Sequence, residues 1–307
     1  MKYTVIDVGS NTVRLAVYEV EKSGFSLVFS KRFTIGLAGY IQDKRMSQDG
    51  IRKACETLTE CRAISEQFQT AQTFVFATAC LRNIENTEEA TDQIFLATGY
   101  SIDVISGQTE AFLDYYGIQA EIPEEQGLLF DIGGGSTEIV TFAYDGPGIV
   151  ESLPIGSLNL SKRYVEKLFP KTKEQEIIRE RIRKELKKRK LQNLPTYDLI
   201  CGIGGTARTI RNLIRMQQGI ADNERIITVK QLKLLEKLLW KKDAAAKEML
   251  LQNCPDRLHT IYTGMLILDE LAALTQCSRI YISQSGAREG YLRRELKRLA
   301  SDADKQE

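Results

Sequence analysis

The stretch Leu128–Val140, with the sequence LLFDIGGGSTEIV, decides the fold. A run of apolar residues ends in Asp131, three glycines follow, and Ser136 opens a second, alternating apolar segment. This order predicts a strand, a tight turn and a returning strand, since glycine permits positive φ angles and close backbone approaches. Successive amides in such a turn form a concavity for an anion, and the carboxylate at the strand end suits a metal ion.

The beginning of the chain has the same layout. Residues Thr4–Val17 read TVIDVGSNTVRLAV, with Asp7 at the end of an apolar strand, Gly9 and Ser10 at the turn, and alternating apolar residues afterwards. We interpret the two hairpins as one device used twice. Facing each other across a cleft, they would hold a phosphate chain and its cation from both sides. The alternative is that both are plain structural hairpins.

The composition limits the class of protein. The 307 residues are enough for two domains, and 43% hydrophobic with 27% charged residues is typical of a soluble globular protein. A net charge of +1 gives no reason to expect nucleic acid as a partner, and no apolar stretch is long enough to span a membrane. The six cysteines include no CxxC pair, and a single histidine, His259, excludes a site built on several imidazoles. We expect a cytoplasmic protein with buried, reduced thiols and no signal peptide.

Strands and helices alternate after each hairpin, which predicts an α/β fold with a mixed sheet in each half. Ser47 is expected to cap a helix that ends near Phe68. Capping boxes are predicted at Asn86–Glu89 and Thr228–Gln231, and a long amphipathic helix at Arg257–Leu274. The histidine within that last segment is expected to be an ordinary helix-surface residue. The end of the chain, Ser301–Glu307, is expected to fray.

The two halves define the predicted domains. The chain turns polar and contains a proline near Gln119–Gln126. We therefore predict an N-terminal domain over residues 1–120 and a second domain over 121–285, with a C-terminal helix at about 286–303 that packs back on the first.

The densest charge run is Lys171–Lys190, with the sequence KTKEQEIIRERIRKELKKRK. Apolar residues at helical spacing run beneath the charges, which predicts a helix with one buried face. A solvated helix surface is one interpretation of the charges. The other is an electropositive wall that attracts a long polyanion.

Motifs in this order resemble the exopolyphosphatase / guanosine pentaphosphate phosphatase (Ppx/GppA) family. Each motif is weak alone, but their order and spacing extend over nearly the whole chain. They are VIDVGSNTVRL (Val5–Leu15), ATACLRNIEN (Ala77–Asn86), ISGQTEA (Ile105–Ala111), DIGGGSTE (Asp131–Glu138), SLPIGSLNL (Ser152–Leu160), GIGGTA (Gly202–Ala207), PDR (Pro255–Arg257) and SGAREGYL (Ser285–Leu292).

The resemblance implies two ribonuclease-H-like domains of the actin–Hsp70–sugar kinase superfold, with the active site in the cleft between them. This chain looks like a short form that lacks the C-terminal HD-type domain of longer members. The family's usual Arg-Leu-Gly after the third strand is replaced by Thr34–Leu37, so this chain lacks the arginine of that motif. The motif Gly204–Thr206 lies where kinase relatives hold adenosine, which keeps a nucleotide-binding alternative open.

The resemblance also assigns roles to residues. Glu110 matches the catalytic glutamate and would orient or deprotonate the attacking water, although an acidic residue in a first helical turn also suits the helix dipole. Asp131 and Glu138, with Asp7, would hold Mg²⁺ or Mn²⁺, and Asp131 and Glu138 are also counted as catalytic. Phosphate oxygens would be bound by backbone amides and by arginines, of which Arg14 could instead face solvent. The phosphate-binding set is Gly9, Ser10, Asn11, Arg14, Arg82, Gly133, Gly134, Gly135, Ser136 and Arg257.

Four functions compete at this stage. The favoured one is an exopolyphosphatase that releases terminal orthophosphate from inorganic polyphosphate. A hydrolase of guanosine pentaphosphate (pppGpp) would use the same groups on a shorter substrate. An ATP-dependent small-molecule kinase shares the superfold, and a non-catalytic sensor of polyphosphate or alarmone would bind without turnover. A homodimer is left open.

Overall fold

The computed structural model describes residues 1–304, and its secondary structure follows the order predicted from the two hairpins. The strands are β1 Lys2–Val8, β2 Thr12–Glu21, β3 Gly24–Thr34, β4 Ile41–Gln42, β5 Arg45–Met46, β6 Gln72–Ala77, β7 Asp103–Val104, β8 Gly127–Ile132, β9 Thr137–Ala143, β10 Gly146–Leu153, β11 Leu199–Ile203, β12 Ile226–Thr228 and β13 Arg279–Ile282. The helices are α1 Gln48–Gln67, α2 Ala79–Arg82, α3 Thr87–Thr98, α4 Gly107–Ile118, α5 Ser157–Tyr164, α6 Thr172–Lys188, α7 Gly204–Gln218, α8 Val229–Leu239, α9 Ala244–Asn253, α10 Ile261–Thr275 and α11 Ala287–Asp304.

Contacts divide the chain into two units. The first unit is Met1–Leu113 together with the chain from Arg288 onward, and the second unit is Asp114–Ala287. The C-terminal helix α11 is thus part of the first unit, although it follows the second in sequence. The division falls inside α4, ahead of the polar segment Gln119–Gln126.

The first unit is built on a five-stranded sheet in the order β3-β2-β1-β6-β7. The three strands of the N-terminal meander are antiparallel, and β6 and β7 continue in parallel from β1. One face packs apolar residues of β1 and β2 against α1 and α3, with Ile6, Leu58 and Ile94 fully buried. The other face meets α11, where the ring of Phe76 stacks on Tyr291 at 4.6 Å between centroids.

The second unit repeats this strand order. Its sheet runs β10-β9-β8-β11-β13-β12, with an antiparallel meander, two parallel strands and β12 as an antiparallel edge. Phe130 and Ile139 pack with Ile182 of α6 and Ile210 of α7 in one apolar core. The α/β prediction with two ribonuclease-H-like sheets is confirmed.

Local sequence signals fix several helix ends as predicted. The Ser47 side chain accepts a hydrogen bond from the amide of Gly50 at the start of α1. The predicted box at the start of α8 forms in both directions, because the Gln231 amide donates to Thr228 Oγ1 and the Thr228 amide donates to Gln231 Oε1. Both caps satisfy amides that would otherwise lack partners at a helix start.

Three helix predictions are wrong. Asn86 forms no capping bond, because its side chain pairs with both backbone groups of Met46 on β5. The predicted amphipathic helix Arg257–Leu274 begins at Ile261, and thirteen of the fifteen residues of α10 are buried, so this helix has no solvent face. Residues Ser301–Asp304 belong to α11 rather than fraying, and residues 305–307 lie outside the described part of the chain.

The cysteines agree with the predicted reduced state. All six are free thiols, and five of them are buried. Among residues 1–304, no helix combines the length and the apolar character needed to cross a membrane.

Candidate active site

The two predicted hairpins close in the same way. The Gly9 amide donates to the carbonyl of Thr12 over 3.0 Å, and the Gly133 amide donates to the carbonyl of Ser136 over 3.0 Å. Strand pairing begins directly outside each turn, in matching register. The duplication suggested by the sequence is therefore also present in the backbone hydrogen bonds of the two hairpins.

The matching register makes Arg14 and Glu138 equivalent positions. Asp7 lies directly opposite Arg14 in the β1–β2 pair, and Asp131 lies directly opposite Glu138 in the β8–β9 pair. Side chains opposite each other on antiparallel strands share a face of the sheet and interact. The first hairpin thus carries an acid–base pair, whereas the second carries two carboxylates, which suits a divalent cation.

The glycine turn of the second hairpin is fixed through its carbonyls. Amides at the start of α5 donate to the carbonyls of Gly133 and Gly134 over 2.9–3.0 Å, and Asn159 Nδ2 donates to the Gly135 carbonyl over 2.8 Å. A Cβ on Gly156 would lie 2.3 Å from the Gly134 carbonyl oxygen, so only glycine allows this approach. Within the described residues, the amides of Gly134 and Gly135 donate to no acceptor, which leaves them able to bind a phosphate oxygen.

The turn of the first hairpin is held in a comparable way. The carbonyl of Asn11 accepts bonds from the amides of Ile35 and Gly36 over 3.1 and 3.0 Å, and the carbonyl of Ser10 accepts one from Ala38 over 2.9 Å. The segment that departs from the family's Arg-Leu-Gly therefore supports the turn through its backbone. Over residues 1–304, the amides of Ser10 and Asn11 donate to no acceptor either.

Glu110 and Arg82 are in direct contact. Arg82 Nη1 donates to Glu110 Oε2 over 2.9 Å and to the carbonyl of Ile105 over 3.1 Å, with side chains that are 18% and 15% exposed. The start of α4 is capped by Ser106, whose Oγ accepts a bond from the Thr109 amide. The predicted general base and a predicted phosphate-binding arginine thus form one charge-assisted pair on a fixed helix start.

Asp7 and Glu110 both act electrostatically on one buried thiol, that of Cys80. Burial raises the pKa of the Cys80 thiol to about 12, with smaller contributions from the negative charges of Asp7 and Glu110. Cys80 Sγ also donates to the carbonyl of Val8, which follows Asp7 on β1. Two predicted site carboxylates therefore lie near one buried thiol, which stays protonated at neutral pH.

Arg288 is a charged residue that interacts with Asp7 and that the sequence analysis did not assign. Burial acts to lower the pKa of Arg288, but Tyr18, Glu289 and Asp7 raise it by more, and the net shift is upward. The Tyr18 hydroxyl donates to Glu289 over 2.5 Å, which connects β2 with α11. Arg288 lies in the motif Ser285–Leu292, so its presence in a family motif was the available signal.

The carboxylate of Asp131 packs on the beginning of α7. Gly204 has φ +76°, and a Cβ there would lie 2.0 Å from Asp131 Oδ1. Thr206 Oγ1 donates to the carbonyl of Ile132 over 2.7 Å. The glycines and the threonine of this motif therefore support the strand end that carries Asp131, in addition to any role in binding a nucleotide.

Glu138 is held by a neighbouring strand. Its side chain is 1% exposed, and its Oε1 accepts a hydrogen bond from Ser152 Oγ over 2.8 Å. In the part of the chain that the structure describes, no group of three Asp, Glu, His or Cys side chains converges on a metal position. Asp131 and Glu138 still fit Mg²⁺, because this ion is usually held by one or two carboxylates together with water and substrate phosphates.

Arg257 lies in the second unit, at the end of a short 3₁₀ turn before α10, and is buried. It is close to His259, whose pKa is lowered by burial and then by the positive charges of Lys162 and Arg257. His259 is exposed in the turn that precedes α10, so it is a surface residue as predicted, but it does not lie on a helix.

The charge run Lys171–Lys190 forms α6, but its arginines are partly neutralised. Arg179 pairs with Asp269 and Glu270 at 2.6 and 2.9 Å, and Arg183 pairs with Glu270 at 2.8 Å. These pairs connect α6 with α10. Lys187, Lys188 and Lys190, at the end of the run, are exposed and could attract a polyanion, as could Lys173 and Lys184.

Two units with the same strand order, each centred on a strand that ends in an aspartate before a glycine turn, define a two-domain α/β protein of the actin-like superfold. The family model described as the Ppx/GppA phosphatase family matches residues 16–299. The chain therefore belongs to the Ppx/GppA phosphatase family, and it is a phosphoanhydride hydrolase.

Individual relatives agree with this assignment. Exopolyphosphatase 1 of Mycobacterium tuberculosis is 26% identical over 314 residues, which cover 99% of this chain and 90% of that protein. The crystal structure of an exopolyphosphatase from Cytophaga hutchinsonii superposes with a TM-score of 0.86 at 20% identity, covering 97% of this chain and 98% of the other. The PPX-GPPA enzyme of Aquifex aeolicus gives a TM-score of 0.77 at 25% identity, with coverage of 95% and 98%.

Proposed function

We propose that this chain is an exopolyphosphatase that releases terminal orthophosphate from inorganic polyphosphate with the help of Mg²⁺ or Mn²⁺. The observation that carries the proposal is the Arg82–Glu110 pair, because it combines a phosphate-binding cation with a carboxylate that can accept a proton. The relatives named exopolyphosphatase, which match nearly the whole chain, support the choice of polyphosphate.

The proposed reaction is hydrolysis of the terminal phosphoanhydride bond. Glu110 orients a water molecule and takes its proton while the water oxygen bonds to the terminal phosphorus. The bond to the bridging oxygen breaks, and the shortened chain leaves with the bonding electrons. Arg82 binds oxygens of the phosphoryl group, and in doing so it keeps Glu110 at a fixed distance from the reacting atoms.

Each hairpin is proposed to supply donors for phosphate oxygens. Amides of Ser10 and Asn11 in the first unit, and of Gly134 and Gly135 in the second, are proposed to donate to phosphate oxygens. Arg14, Arg257 and the remaining turn residues of the predicted set stay candidates for the same role. A divalent cation held by Asp131 and Glu138 would neutralise phosphate charge and fix the substrate. The contribution of Asp7 to that cation stays a prediction.

The test is a comparison of substrates. Purified protein with Mg²⁺ is given long-chain polyphosphate, pppGpp and ATP in parallel, and released orthophosphate is measured to obtain kcat/KM for each. We expect the highest kcat/KM with polyphosphate. The reason is that the described residues of the site supply charges and backbone amides for phosphate. If pppGpp were hydrolysed far more efficiently than polyphosphate, the alarmone phosphatase would replace this proposal.

A charge-reversal variant tests the basic helix. Lys187→Glu, Lys188→Glu and Lys190→Glu in combination should raise KM for chains of several hundred phosphates and leave KM for short chains nearly unchanged. The reason is that distant charges attract a long polyanion, an effect that fades as the Debye length falls from about 10 Å at 0.1 M salt to about 3 Å at 1 M. Steady-state kinetics at both salt concentrations provide the measurement.

The matched control reverses three other exposed lysines of the second unit, Lys230, Lys237 and Lys247, on α8 and α9. It changes the net charge by the same amount, so equal effects of the two variants would rule out a specific track on α6. Arg179 and Arg183 are unsuitable for reversal, because their pairs with Asp269 and Glu270 connect two helices.

A further inference from the structure

Strand β10 places Ser152 directly opposite Glu138 in the β9–β10 ladder. The Ser152 hydroxyl donates to Glu138 Oε1 over 2.8 Å. We propose that Ser152 is a positioning residue: it sets the orientation of the Glu138 carboxylate and thereby the affinity of the second hairpin for its divalent cation. This inference depends on the proposed function, since it concerns the cation that Asp131 and Glu138 are proposed to hold.

Glu138 needs such a partner because it is a buried carboxylate on a flexible side chain. At 1% exposure it has almost no access to water, and a buried charge is costly unless hydrogen bonds compensate it. A glutamate has three rotatable side-chain bonds, and its two oxygens can exchange positions. The bond of 2.8 Å to Oε1 favours one arrangement of the carboxylate and so influences where Oε2 points.

Ser152 is itself held on both sides. Glu151 pairs with Arg189 at the end of α6 at 2.9 Å, and Leu153 is fully buried. Leu153 also pairs with Thr137 in the ladder, and Thr137 Oγ1 donates to the carbonyl of Ile155. Because the backbone around Ser152 is fixed and its side chain has one torsion between heavy atoms, the hydroxyl has only three staggered positions, and the bond to Glu138 Oε1 uses one of them. Partners of this kind typically orient metal ligands in proteins.

The first hairpin provides an internal comparison. Arg14 occupies the position equivalent to Glu138, and the residue opposite it on the third strand is Arg32. The duplicated sheets thus agree in register but differ at this point, with a hydroxyl opposite the carboxylate in the second unit. The meander of the first unit forms with Arg32 at this position, so folding of such a meander does not require a hydroxyl donor there. A serine therefore stands at this position in the unit whose neighbouring strand carries the carboxylate, and not in the other unit.

The test measures metal binding directly, without turnover. Binding of Mn²⁺ to the full chain is followed by loss of the free-ion electron paramagnetic resonance signal, in the absence of substrate. We expect Ser152→Ala to weaken Mn²⁺ affinity by about 10–100-fold, the usual effect of losing a partner of a metal ligand. Ser152→Thr keeps the hydroxyl and should restore most of the affinity. In kinetics, Ser152→Ala should raise the Mg²⁺ concentration needed for half-maximal rate more than it lowers kcat.

Thr141→Val is the matched control. Thr141 Oγ1 accepts a bond from the Ile149 amide over 2.8 Å, so this variant loses a buried hydroxyl from the same strand pair without touching Glu138. Its Mn²⁺ affinity should equal that of the wild type. Should Ser152→Ala fail to fold, Ser152→Cys replaces it, because a thiol of similar shape is a weaker donor and should give an intermediate loss.

The outcomes separate the inference from the proposed function. Wild-type protein that binds no Mn²⁺ would overturn the metal role of the second hairpin altogether. Wild-type protein that binds Mn²⁺, together with Ser152→Ala protein that binds it equally well, would overturn the role of Ser152 and leave the metal role intact. An equal loss in Thr141→Val would also overturn it, because the effect would then reflect a weakened hairpin.

Discussion

Replacement of Glu110 by glutamine is expected to lower kcat for polyphosphate by about 10²–10⁴-fold, the range typical of a lost general base. Glutamine keeps an oxygen that can accept the hydrogen bond seen at 2.9 Å from Arg82, so this bond survives between a cationic guanidinium and a neutral amide. Substrate affinity and fold should therefore stay close to those of the wild type. Orthophosphate release under saturating polyphosphate measures kcat, and equilibrium binding to the inactive variant measures affinity.

The control addresses the alternative role of Glu110 as an acidic residue in a first helical turn. Glu88 occupies such a turn at the start of α3 and is exposed. Glu88→Gln removes the same charge from the same kind of helix position, so it should leave kcat unchanged. Near-wild-type turnover by Glu110→Gln would remove this carboxylate from the mechanism, and an equal loss in both variants would attribute the effect to helix ends.

The hairpins were predictable because their signals are local. Asp7 with Gly9, and Asp131 with Gly133, stand at the same spacing, and the turn geometry follows from residues adjacent in sequence. The opposite charges at Arg14 and Glu138 were also readable, since both lie seven positions after the aspartate. Even the cap at Thr228 depends on a residue only three positions away.

One error has a clear physical origin, which is competition from a distant partner. Asn86 has the sequence of a capping residue, but Met46 lies 40 positions away and takes both of its hydrogen-bonding groups. The contact of Arg82 with Glu110 spans 28 positions, so the sequence could name both residues without showing that they touch.

The charge run shows the same limit in its energetics. The sequence alone does not show which residues pair with its cations, and an electropositive surface is therefore a reasonable prediction. In the fold, Glu270 lies within reach of Arg179 and Arg183, which are 91 and 87 positions earlier. Burial raises the cost of leaving such charges unpaired, so a carboxylate on a buried helix beside them is the stable solution. The run is thus partly a structural interface.

The second large effect is expected at Asp131. Asp131→Asn keeps the shape that packs against Gly204 but removes one of the two carboxylates proposed to hold the cation. Loss of several kcal/mol of charge stabilisation in the transition state corresponds to a decrease in kcat of about 10³-fold or more. Orthophosphate release over a Mg²⁺ titration is the measurement, and added Mg²⁺ should restore little of the rate, in contrast to a variant that only weakens binding.

Asp145→Asn is the control for Asp131, because Asp145 is exposed in the turn between the next two strands of the same sheet. It should behave as the wild type over the whole titration. Wild-type protein treated with excess EDTA should fall to the rate of the Asp131→Asn variant, and EDTA should lower that variant's rate little further. Such agreement would mean that chelation and substitution remove the same interaction. If wild-type activity survived EDTA, hydrolysis would not depend on a metal ion. The two carboxylates of the second hairpin would then need another role.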